Sequence, residues 1–104
     1  MNIMMPQAEL VARARDHGRE SLEAGQVGRR LDSLLPQRLK ELTAARRDGR
    51  RAGQAERLAL TDEAYRAYVD ELVAIRASGR QARVEYETHI MLIEARRTLR
   101  ALAR

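Results

Sequence analysis

The sequence predicts an all-α fold: a small helical bundle or helical hairpin with one long, heptad-patterned carboxyl-terminal helix. Three observations predict it. Ala, Leu, Arg and Glu, all strong helix formers, dominate the chain. Val and Ile are few and scattered, with no strand-like alternation. Apolar and small residues recur at spacings of three and four from Leu58 to Ile93. The chain has 104 residues, enough for one domain, so 1–104 reads as a single helical domain. It has no Phe and no Trp, and its only aromatics are Tyr65, Tyr68 and Tyr86. A core built from Leu and Ala suits a narrow seam between helices, and a second copy or a partner often supplies the missing burial.

The amino-terminal helices are expected over 6–47. Pro6 suits a first helical turn. Leu10, Val11, Ala14, Gly18, Ser21 and Leu22 then recur at helical spacing, and Ala14 and Gly18 would allow a close approach. Gly25 and Gly28 read as punctuation. A second segment from about Val27 to Arg47 carries Leu31, Leu34, Leu35, Leu39 and Leu42 on one face. Pro36 lies inside it, removing a backbone donor and crowding the preceding turn, so a kink near Leu35 or a junction of two short helices is expected. Asp48-Gly49 reads as a stop. Residues 48–53 then read as an exposed basic loop.

The segment 54–104 is expected to form the long carboxyl-terminal helix. Thr61 is read as an N-cap, with Asp62 and Glu63 where the helix dipole favours acids. The seam comprises Tyr65, Tyr68, Leu72, Ile75, Gly79, Ala82, Tyr86, His89 and Ile93. Ser78-Gly79 marks a point where the helix either continues or turns back on itself. Continuity is favoured because the heptad phase is kept across Gly79.

The sequence excludes several function classes and narrows others. There is no cysteine, hence no disulfide and no thiolate chemistry. The first residues lack the apolar core of a signal peptide, and no apolar run is long enough to span a bilayer, so a cytoplasmic location is expected. No serine sits in a nucleophile elbow, and no phosphate-loop pattern follows Gly49 or Gly53. Asp62-Glu63 and Asp70-Glu71 are sequence neighbours that diverge on a helix, which suits solvation better than acid–base work. Glu85 and His89 share a helix face and could share an ion, but the Glu-x-x-His pattern of four-helix carboxylate metal sites is absent, so no metal ligand set is assigned. No cofactor, no small-molecule substrate and no enzymatic activity are expected.

Two binding readings remain. In the first, the chain is a non-catalytic adaptor or assembly protein that forms a homodimer or docks a partner helix through the Tyr65-to-Ile93 seam, with the amino-terminal helices folded back on part of that seam. The tyrosines would be anchors; the competing reading packs them against Leu31 to Leu42 inside one monomer. In the second, an accessory protein contacts nucleic-acid phosphates through Arg46, Arg47, Arg50, Arg51, Arg76, Arg80 and Arg83. The formal charge of +5 permits this without compelling it, and no aromatics are interleaved with the arginines for base stacking. No membrane interaction is expected, because the basic final helix lacks exposed Trp or Phe.

Overall fold

The computed structural model describes residues 5–103, and among these the chain is three helices with no strand. Helix α1 spans Gln7–Arg46, α2 spans Ala52–Leu60 and α3 spans Glu63–Leu102. The all-α class is as the sequence predicts.

Helix α1 is one helix, a correction to the expected series of shorter ones. Gly25 and Gly28 lie in its interior. Gly28 is buried, and a Cβ added there would stand 3.4 Å from Ile75 Cγ2. The glycine therefore provides contact distance for a neighbouring helix rather than a turn. Pro36 is also interior, and no second helix begins at it. The carbonyl deprived of a donor belongs to Asp32, which, like Pro36, is exposed. Water can satisfy that carbonyl, which limits the cost of the proline. The helix ends before Arg47, and Gly49 adopts φ 77°, the left-handed conformation that favours glycine.

The expected helix from 54 onward is two helices, a second correction. Residues 52 and 53, assigned to the basic loop from sequence, open α2. The break falls at Thr61-Asp62. Thr61 does not cap α3; its hydroxyl turns back to the carbonyls of Arg57 (3.3 Å) and Leu58 (3.1 Å) and closes α2. Asp62 takes the capping role, accepting the Ala64 amide at 2.9 Å through Oδ1. Side chains that bond their own backbone offer the chain an alternative to continuing the helix, and here two such residues are adjacent. Beyond the break, α3 runs through Ser78-Gly79 without interruption.

The chain divides into two compact units, where the sequence suggested one domain. Among the described residues, the first comprises 5–24 and 77–103. Its core is Met5, Leu10, Ala14 and Ile93, with Ile90 and Leu92 packed against it. Within it α1 and α3 run antiparallel: His17 meets His89, Gly18 meets Tyr86 and Ala24 meets Gly79, partner numbers falling as α1 advances. A Cβ on Gly79 would stand 3.0 Å from the Ala24 Cβ, so the helix backbones approach closely there. The Arg96 guanidinium donates to the Met5 carbonyl, tying α3 to the residues just before α1.

The second unit is Gly25–Arg76. Its helices are again antiparallel: Gly28 against Ile75, Asp32 against Arg76, Arg38 against Tyr68 and Arg46 against Asp62. Leu31, Leu72, Ala55 and Ala59 are its buried apolar residues. Arg38 lays its guanidinium over the Tyr68 ring, 4.0 Å from the centroid. A thin aliphatic core is thus extended by a stacked cation–aromatic pair.

Candidate functional site

The predicted seam exists, but α1 occupies it. In the second unit, Tyr65, Tyr68 and Ile75 are half-buried and Leu72 is buried. In the first, Ala82, His89 and Ile93 are buried, Gly79 is half-buried, and only Tyr86 is exposed, at 38%. Much of the seam is thus covered by the chain's own residues. Gly18 receives the Tyr86 ring, and Ala24 meets Gly79. The close approach that Ala14 and Gly18 suggested is spent inside the chain.

The predicted phosphate contacts separate into two groups. Arg46 holds Asp62 through Nε (3.0 Å) and Nη2 (2.5 Å). Arg76 lies 3.4 Å from Asp32, and Arg83 lies 3.0 Å from Glu87. These three face carboxylates. Arg50 donates to the Arg46 carbonyl at 2.9 Å, while Arg47, Arg51 and Arg80 are exposed. Around Asp62 the contacts favour the ionised carboxylate. The hydrogen bond from Arg46, then the Ala64 amide, hold its carboxyl below the ordinary aspartate value, against a smaller opposing effect of burial.

Two features escaped the sequence reading. The first is a trio of side chains in the first unit: His17 on α1 with Glu85 and His89 on α3. One potential ligand atom from each lies within 4.8 Å of the others. The two imidazole rings stand 5.3 Å apart between centroids, tilted by 37°. Glu85 and His89 were legible as an i, i+4 pair, but His17 lies a long way off in sequence and only the antiparallel register brings it in.

The second feature is the outer face of α3. At 3.6 residues per turn, the buried seam covers one side of the helix. Ala77, Val84, Thr88, Met91, Ala95, Thr98 and Leu102 fall on the opposite side, and all are exposed. Val84 (55%), Met91 (69%) and Leu102 (77%) are large apolar side chains facing solvent along one line, with Leu99 (66%) beside them. An isolated exposed leucine needs no explanation, but a row of them at helical spacing is a different observation. This second stripe lies off the seam whose spacing is legible in the sequence.

An open groove bordered by Pro36, Leu39, Lys40, Thr43, Arg47 and Glu56 lies in the second unit, with a volume of about 530 Å³. No helix among the described residues is long and apolar enough to cross a membrane. Comparison with protein-family models, curated proteins and solved structures finds no match.

Proposed function

We propose that this chain is a non-catalytic helical assembly protein that pairs with a second copy of itself through the outer face of α3. A cytoplasmic setting goes with that reading. The observation that carries it is the row Val84, Met91 and Leu102, exposed on one side of a helix whose other side is already packed. A helix apolar on two opposite faces suits an element sandwiched between two others.

Charge argues for an antiparallel pair. Along α3, Arg80 and Arg83 precede Glu94. Two antiparallel copies would set Arg80 and Arg83 of one beside Glu94 of the other, whereas an in-register parallel pair would align each residue with its own copy. In the antiparallel register that places Val84 opposite Met91 of the second copy, Ala77 faces Thr98 and Arg83 lies beside Glu94. The apolar contacts and the Arg83–Glu94 pair repeat about a single two-fold axis, as an isologous interface requires. Paired hairpins of this kind would form a four-helix arrangement with side chains interleaved across the seam.

The nucleic-acid alternative has less support, since Arg46, Arg76 and Arg83 already face carboxylates. The test is the solution mass of the full chain across a concentration series. A dimer that becomes a monomer on substitution of Val84 or Met91 by Glu supports the reading. A monomer at every concentration removes it.

A further inference from the structure

We propose that His17, Glu85 and His89 form a site for a divalent transition-metal ion of the zinc class, joining α1 to α3. The site lies on the inner side of α3 and does not depend on the self-pairing reading.

The donor set is two imidazoles and one carboxylate, which suits a borderline cation such as Zn²⁺ and has too few oxygens for Ca²⁺ or Mg²⁺. The spacing is close to what binding needs. One ligand atom from each residue already lies within 4.8 Å of the other two. On a tetrahedral ion with Zn–N bonds of about 2.0–2.1 Å, two imidazole centroids stand roughly 5 Å apart. The centroids of His17 and His89 are 5.3 Å apart.

The ring nitrogens support the same assignment. His89 is 4% exposed, and its Nδ1 stands 2.6 Å from the Glu85 carbonyl oxygen. That contact makes Nδ1–H the donor, which leaves the Nε2 lone pair for a cation. A backbone carbonyl on the second nitrogen is the usual orienting partner of a metal-binding histidine. His17 Nδ1 is buried and makes no hydrogen bond; the nearest carboxylate oxygen, Glu20 Oε2, is 3.5 Å away without hydrogen-bonding geometry. A buried ring nitrogen with no partner is costly unless something is bound to it. His17 and Glu85 are only half-buried, so solvent reaches the trio and water can supply a fourth ligand.

The alternative is a pair of stacked imidazoles that binds nothing, and the experiment distinguishes the two. The full chain, stripped with a chelator, is titrated with Co²⁺ and followed by its visible d–d absorption, then with Zn²⁺ by calorimetry. The expected result is one ion per chain, visible bands of a four-coordinate cobalt site, and a melting temperature that rises by several degrees with Zn²⁺. Glu85→Gln and His17→Gln change half-buried positions, and their helicity is checked by circular dichroism. Each is expected to weaken binding about tenfold or more, since loss of an outer partner alone costs ~10–100-fold. Ring ¹H–¹⁵N spectra of the unsubstituted chain provide a readout that needs no variant: both histidine rings shift together at one equivalent of Zn²⁺. Absence of stoichiometric binding, unmoved histidine rings, or binding unchanged in folded His17→Gln overturns the proposal.

Discussion

Gly79 and Gly25 are both helical glycines, and the structure predicts that alanine has opposite effects at the two. Alanine in a helix interior is favoured over glycine by about 1 kcal/mol, because the unfolded glycine chain has more freedom to lose. At Gly25 a new Cβ meets only Arg29 Nη1, at 3.4 Å, the far end of a flexible side chain. Gly25→Ala should therefore keep the whole gain. At Gly79 the new Cβ meets the Ala24 Cβ at 3.0 Å. Both atoms are fixed directly to helix backbone, so relief requires the helices to separate locally. Overpacking of this kind costs ~1–3 kcal/mol, which outweighs the propensity gain and leaves a net loss of about 1 kcal/mol. Gly18 lies between the two cases. Its Cβ would meet Tyr86 Cδ2 at 3.2 Å, but that ring is partly exposed and can move, so the net change should be close to zero. Thermal unfolding followed by helical circular dichroism reads the difference. At ~4–8 °C per kcal/mol for a domain of this size, Gly25→Ala should melt several degrees above the unsubstituted chain and Gly79→Ala several degrees below. If Gly79→Ala is as stabilising as Gly25→Ala, the close approach of α1 and α3 at Ala24 is refuted.

Other consequences follow from particular contacts. Asp62 has its carboxyl held below the ordinary value of 3.8, so its ionised form stabilises the fold above that value, and the contribution is lost as pH falls through the lower folded value. Asp62→Asn should therefore lower the melting temperature at neutral pH, and the difference should vanish in strong acid; a constant difference at all pH values contradicts this. Arg38 and Tyr68 should couple by ~0.5–1 kcal/mol in a double-mutant cycle of Arg38→Met and Tyr68→Leu measured by urea unfolding, with additive effects as the contrary result.

The fold class was legible because helix formers and three-four spacing agree over most of the chain. The seam from Tyr65 to Ile93 was also legible, since its phase continues unbroken through Gly79. In the sequence its occupant is open between a partner and the chain's own amino-terminal helices. Whether a heptad face meets a partner or the chain's own α1 depends on the antiparallel register, and single-helix periodicity holds no information about register. For the same reason Gly25 and Gly28 read as breaks. A glycine that shortens a helix and one that admits a neighbouring side chain look alike until Ile75 is known to lie against Gly28. The helix break was misplaced because Thr61 and Asp62 are both good caps. Only the hydrogen bonds decide that Thr61 closes α2 while Asp62 opens α3. The His17, Glu85 and His89 trio follows the same rule: two members lie one turn apart, and the third arrives only through the fold.

The most direct test of self-pairing through α3 is sedimentation equilibrium on the full chain beside Val84→Glu and Met91→Glu. Both positions are exposed, so each variant should retain its helicity as a monomer. The account predicts a dimer of the unsubstituted chain and a monomer of either variant, each through loss of an apolar contact across the antiparallel pair. A unsubstituted chain that sediments as a monomer at every concentration, or a dimer that both charged substitutions leave intact, would contradict it.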